Sequence, residues 1–188
     1  MSNLYRNTVA SPACLSYWTK VVEKDELRDQ YVAGMVIDMT DKEHKAFVKT
    51  LTDLENDMRK EKGHEPVKVT TALKDATYDN QKVKVLKAVT KKDDFVTADT
   101  DGKPLKYNPW STDKIRVACT PSYNDGSMNK NHQGLKLYLD GVKIVEKNRE
   151  DGGDAGGGSG RDRAASLLDI DIPDEIETTP DTGDEFIF

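Results

Sequence analysis

Long apolar runs, paired cysteines and clustered histidines are all missing from this 188-residue chain. Without a run of about 18 apolar residues, no membrane-spanning helix is expected. The N-terminus lacks the basic-then-apolar pattern of a secretory leader. Cys14 and Cys119 stand far apart with no second pair to complete a zinc site, so they read as reduced thiols of a cytoplasmic protein. His44, His64 and His132 lack metal-ligand spacing, and each lies among solvent-type residues. The glycines from Gly152 to Gly160 follow no apolar strand and precede no Lys-Ser/Thr pair, so they form a linker and not a phosphate cradle. These absences leave little footing for catalysis, and no cofactor, metal or catalytic residue is expected. A magnesium-dependent nuclease would have to draw on Asp38, Asp75 and Asp79, in a chain where acids are common.

What is present is charge, unevenly placed. The chain carries a net charge of −6, but residues 151–188 hold eleven acids against Arg161 and Arg163. The first 150 residues therefore carry 26 basic and 23 acidic groups. A mildly basic body joined to an acidic tail suits a polyanionic partner for the body, with the tail as an internal competitor. Three parts follow: a domain over 1–150, a flexible Gly-rich linker over 151–163, and an acidic tail over 164–188 that is expected to be disordered. The tail ends in Asp184, Glu185, Phe186, Ile187 and Phe188. Acids closed by an apolar plug fit a peptide that docks in a basic-rimmed pocket of another protein.

The body alternates in the manner of strands. Ala13 to Glu23 and Tyr31 to Met39 read as two strands, after about eleven irregular residues. On the second, Tyr31, Ala33, Met35, Ile37 and Met39 form an apolar row, and the opposite row of Val32, Gly34 and Val36 is apolar too. A helix is expected over about 41–62, with Thr40 and Glu43 as a capping box, Phe47, Leu51, Leu54 and Met58 as its buried stripe, and Gly63 at its C-terminal end. Gln81 to Thr90 alternates again, with Val83, Val85 and Val89 on one row and Lys82, Lys84 and Leu86 on the other. Phe95 to Ala98 and Lys103 to Tyr107 flank an Asp101-Gly102 turn. Ile115, Val117 and Cys119, then Leu135, Leu137 and Leu139, mark two further strands around a polar loop over 124–134. Asp140-Gly141 marks a turn or bulge. The fold class is mainly β: a five-stranded Greek-key barrel of the oligonucleotide-binding (OB) type, with one helix inserted after the second strand.

Proteins that bind single-stranded nucleic acid combine a positive groove with aromatic faces on which bases stack. The expected outward rows supply Trp18 with Lys20, Lys82 with Lys84, Arg116, and Lys136 with Tyr138. Lys106, Tyr107 and Trp110 lie in a Pro-containing loop, and Tyr123 follows Pro121 at a strand end. Tyr31 and Phe47 fit the core, while Trp18 suits either core or stacking.

The runs Lys103-Pro104-Leu105-Lys106, Trp110 to Tyr123, and Gly134 to Glu146 resemble the C-terminal half of the barrel in phage single-stranded DNA-binding proteins of the short-tailed coliphage type. The order of two strands and then a helix, and the acidic tail ending in Phe, are similar too. The resemblance implies coating of single-stranded DNA without sequence preference, often as a dimer, in phage replication, recombination and repair within the host cytoplasm. It implies that the tail contacts the phage DNA polymerase and helicase-primase. It also implies that Tyr123 stacks bases and Phe188 docks. Two features depart from the family pattern. The tail is less densely acidic and contains Asp169-Ile170-Asp171-Ile172-Pro173, and the segment from Gly63 to Asp79 has no placed counterpart. A protein-interaction adaptor that binds no nucleic acid and a metal-dependent nuclease are the rival classes.

Overall fold

The alternating rows fold into a sheet that curls back on itself. A computed structural model describes residues 4–127 and 132–148; the linker and tail lie outside the described residues. The strands are β1 (Leu4–Tyr5), β2 (Val9–Ala10), β3 (Cys14–Leu15), β4 (Lys20–Asp25), β5 (Gln30–Ile37), β6 (Lys74–Tyr78), β7 (Gln81–Thr90), β8 (Val96–Ala98), β9 (Lys114–Asn124) and β10 (Gly134–Glu146), with helix α1 at Lys42–Glu61 between β5 and β6. Among the described residues no helix is long and apolar enough to cross a membrane.

The barrel circuit follows from the pairings. β5 lies antiparallel to β7, β7 parallel to β10, and β10 antiparallel to β9. Cys14 and Leu15 then pair with Ile115 and Lys114 of β9, and Ser16 bridges Met35 of β5. The order β3/β4–β5–β7–β10–β9 is the OB order, with the helix inserted after the second barrel strand as expected. The apolar rows read from the sequence meet inside: Ala33, Met35 and Ile37 of β5, Leu86 and Ala88 of β7, Ile115, Val117 and Cys119 of β9, and Leu135, Leu137 and Leu139 of β10. Phe47, Val48, Leu51 and Met58 of α1 join that core.

Several sequence expectations change in detail. The opening residues are not wholly irregular, because β1 and β2 run along the edge of β9. The single strand expected over Ala13 to Glu23 is two, since the chain must leave β9 and cross to β5. It turns at Trp18, whose φ of 47° is left-handed. The helix is capped by Asp41, which accepts from the Glu43 and His44 amides, while the Thr40 hydroxyl donates to Asp38. Gly63 takes the expected left-handed conformation after the helix, with φ 70°. The Asp101-Gly102 turn forms, with Asp99 N donating to Lys103 O at 2.7 Å, but no strand follows it. Pro104 and Pro109 have no amide to give a ladder, Leu105 is buried, and β8 pairs with β10 instead. Asp140 sits in a β-bulge, and β10 continues through it to Glu146.

The segment after the helix is fastened by a charge in the core. Glu55 is fully buried, and its carboxylate accepts from Arg59 Nε at 2.9 Å and from Thr70 Oγ1, Thr71 N and Thr71 Oγ1, each at 2.8 Å. Thr71 Oγ1 in turn accepts from Leu135 N at 2.7 Å. A buried carboxylate is tolerated when its acceptor sites are filled, and here four donors fill them. The network ties α1 and the 63–73 segment to the start of β10.

Candidate nucleic-acid interface

The outward rows of the barrel make a continuous wall. Register places Lys20 opposite Val32, Val32 opposite Val89, Val89 beside Tyr138, and Tyr138 opposite Thr120, so one cross-strand row runs from β4 to β9. Lys87 and Lys136 each precede that row by two positions on parallel strands, so they extend the same wall side by side. Lys87 lies opposite Gly34, and its Nζ stands 5.2 Å from the centre of the Tyr17 ring. Ring and ammonium attract through the ring quadrupole. Burial first, and the neighbouring Arg28 second, lower the Lys87 pKa, with Asp25 opposing them. Two cations are thus held close on a partly desolvated surface.

Trp18 forms a ridge on this wall. It is 59% exposed in spite of its size, and a left-handed backbone at a non-Gly residue costs on the order of 1–2 kcal/mol. The turn that carries the chain from β9 to β5 holds the indole outward. Two hollows share Tyr17 and Trp18 as a common border. The first, of about 220 Å³, is also lined by Asp25, Arg28, Val32 and Lys87. The second, of about 540 Å³, is completed by Thr77, Tyr78, Asp79, Ser111 and Thr112. Tyr78 donates its hydroxyl to Ser111 O at 2.5 Å, fixing the β6–β7 ribbon against the loop that bears Trp110. That loop is also held by Asn108, whose Oδ1 accepts from the Val21 and Val22 amides at 2.7 and 2.8 Å.

The expected binding residues divide on this surface. Trp18, Lys20, Lys136 and Tyr138 lie on the wall, and Trp110 is exposed beside the second hollow, next to Ser111. Arg116 lies further along the outward row of β9, opposite Lys143, and its Nε donates to Ser11 O at 3.2 Å. Lys84 belongs elsewhere. Its row is the one that places Leu86 and Ala88 in the core, and it pairs with Asp75 at 2.6 Å on the ribbon beyond the barrel. Lys106 is half-buried, and Tyr107 packs against the core, so neither presents a free aromatic or basic face as an exposed loop would. Tyr123 is a correction. It is 0% exposed, its hydroxyl bonds His64 Nδ1 at 2.7 Å and accepts from Gln133 Nε2 at 3.1 Å, and Arg59 lies over its ring. Its ring is packed where a base cannot reach. The tail residues Asp184, Glu185, Phe186, Ile187 and Phe188 lie outside the described residues.

The wall residues missed in the sequence are Tyr17, Arg28 and Lys87. Lys87 interrupts the row of Val83, Val85 and Val89, and that interruption was the available signal for an outward face. The histidines are more engaged than their neighbours suggest: His44 accepts from Asp38 N at 2.9 Å and bonds Ala13 O through Nε2 at 2.9 Å. Asp38, Asp75 and Asp79 are not gathered. Asp38 bonds Thr40, Asp75 pairs with Lys84, and Asp79 tips the β6–β7 turn. Among the described residues no three His, Cys, Asp or Glu side chains are grouped to hold a metal ion. Cys14 and Cys119 are free and buried, and burial pushes the Cys14 thiol up to about 12.

No family model matches the sequence, and no curated protein matches it. Solved structures do share its fold. The single-stranded DNA-binding protein from bacteriophage Enc34 superposes with a TM-score of 0.57 at 11% identity, over 77% of this chain and 84% of that one. The same protein solved in complex with single-stranded DNA gives a TM-score of 0.57 at 12% identity, over 77% and 89% of the two chains. The bacteriophage T7 single-stranded DNA-binding protein gp2.5 gives 0.55 at 17% identity, over 80% and 92%.

Proposed function

We propose that this chain is a phage-type single-stranded DNA-binding protein that coats the strand broadly, without an enzymatic step of its own. One observation carries the reading. The outer wall of an OB barrel presents an exposed Trp18 ridge beside a hollow that contains Arg28 and Lys87. Phosphates would lie along Lys20, Lys87, Arg28 and Lys136, releasing counterions, while bases stack on Trp18, Tyr17 and Tyr138. The shared fold with the Enc34 protein, solved with single-stranded DNA, supports this use of the barrel.

The finer parts of the proposal rest on sequence. The acidic tail ending at Phe188 would recruit the phage DNA polymerase and helicase-primase. Replication, recombination and repair in the host cytoplasm would be the setting, and a homodimer the working form. A flexible Gly-rich linker would give the tail a high effective concentration near its own barrel.

The test is a fluorescence-anisotropy titration of single-stranded and duplex oligonucleotides at two salt concentrations with magnesium present. Tight, salt-sensitive binding that favours the single strand, with the oligonucleotide intact afterwards, is expected. Absence of binding would turn the reading to a protein-interaction adaptor, and cleavage would turn it to a nuclease.

A further inference from the structure

The most exposed large apolar side chain among the described residues is Leu27, at 90%. It stands at the tip of the β4–β5 hairpin, in the four-residue turn between the paired Asp25 and Gln30. Single exposed apolar residues are ordinary on a protein surface. Leu27 differs in its place, because it lines the same hollow as Tyr17, Trp18 and Lys87. It therefore continues the candidate DNA wall beside its exposed indole.

The turn holds this side chain out. Asp25 closes it twice: its Oδ1 accepts from Leu27 N and its carbonyl oxygen from Arg28 N, each at 3.2 Å. Asp29 has a left-handed φ of 47°, and its carboxylate pairs with Lys24 at 3.3 Å. Lys24 Nζ in turn stands 5.6 Å from the centre of the Tyr31 ring. Charge gives the tip no net pull on phosphate, since Asp25, Glu26 and Asp29 outnumber Lys24 and Arg28. What the tip offers a bound strand is apolar contact, from a turn already ordered before binding.

The apolar surface of a nucleic acid is the faces of its bases. An aliphatic side chain reaches them by entering a base step and unstacking it, as apolar wedges do in kinked duplexes. Resting on the DNA-binding function proposed above, we infer that Leu27 is a wedge that inserts between neighbouring bases of the bound single strand, next to the base stacked on Trp18. Every base has such a face, so the wedge adds affinity without sequence preference.

The experiment uses a single-stranded oligonucleotide carrying 2-aminopurine between adenines, whose emission is quenched by stacking and rises when the step opens. The full chain is compared with Leu27→Ala and Leu27→Met at several salt concentrations. The intact protein is expected to raise the emission on binding. Leu27→Ala should bind about tenfold more weakly, in keeping with the loss of a largely buried leucine side chain. At saturation it should raise the emission less. Its salt slope should match the parent's, because an apolar contact releases no counterions. Leu27→Met, flexible and of similar size, should keep both affinity and emission. Parental affinity or parental emission in Leu27→Ala would overturn the inference while leaving DNA binding in place. A lowered salt slope would overturn it too, as the sign of a displaced Arg28, and so would Leu27→Met behaving like Leu27→Ala. Failure of the intact protein to bind would overturn the DNA-binding function itself.

Discussion

The carbonyl oxygen of Tyr17 occupies the space above Gly34. A Cβ built on Gly34 would lie 1.7 Å from that oxygen, and Tyr17 N donates to Gly34 O at 2.8 Å. This close approach seats the crossing segment on β5, closes the barrel next to the Ser16–Met35 bridge, and aims Tyr17 and Trp18 at the outer wall. Barrel closure and the candidate DNA surface thus depend on one missing side chain.

Gly34→Ala should therefore do two things. The methyl cannot be housed without moving backbone, so unfolding should shift by about 1–3 kcal/mol or more toward the denatured state. Oligonucleotide affinity should fall with it, because the lifted segment bears the ridge. Denaturant titration and anisotropy on the same preparation check both. Full stability would show that the segment is not seated on β5.

Lys84 and Lys87, both on β7, should behave differently. Lys87→Gln removes a charge from the wall and is expected to weaken single-strand binding and lower the salt slope by about one. Lys84→Gln removes a partner of Asp75 beyond the barrel and should leave both nearly unchanged. The measurement is affinity against salt concentration for each variant. The reverse ranking would show that β7 is used from its other face.

Tyr123→Phe separates packing from stacking. The ring stays in the core, while the hydrogen bonds to His64 and Gln133 are lost, at a cost of roughly 0.5–1.5 kcal/mol for each bond in a folded protein. Stability is expected to fall, and oligonucleotide affinity at a temperature where both proteins are folded should hold. A selective loss of affinity would return Tyr123 to the binding surface.

Asp140 supplies a pH signature. Burial raises its pKa, against the hydrogen bond that Thr120 Oγ1 donates to it at 2.7 Å. The folded state keeps the proton to higher pH than the unfolded state, whose value is about 3.9. Stability is therefore lost as pH rises from that value through the raised one. Asp140→Asn keeps an accepting oxygen without the charge. Its stability advantage over the parent should be absent near pH 3 and grow as the pH rises through that window. Thermal melts across the range check it, and a constant difference would refute the burial argument.

Much of the fold was legible because its signals are local. The boundaries of β7, the helix with Gly63 after it, and the irregularity at Asp140-Gly141 follow from alternation, helical spacing and turn residues. The capping residue shifted by one because Asp38 drew the Thr40 hydroxyl away from the helix. What failed was mostly a question of partners. Val85 is nearly fully buried on the outer row, so an apolar residue did not mark the inner face, and a one-step change of face moves every side chain of a strand. The crossing at Trp18 was hidden because Ala13 to Glu23 alternates throughout, although two different strands receive its halves. Tyr123 read as exposed beside Pro121, yet the helix end brings His64 and Arg59 onto it from far away in sequence.

The chain has two tryptophans, and Trp110→Phe leaves Trp18 as the sole indole. Titrating that variant with oligo-dT while following intrinsic fluorescence reports directly on the ridge. If single-stranded DNA lies across the wall of β4, β5, β7 and β10, Trp18 emission should be quenched in step with binding and saturate with it. Emission that stays constant while the labelled oligonucleotide is fully bound would place the DNA elsewhere on the protein.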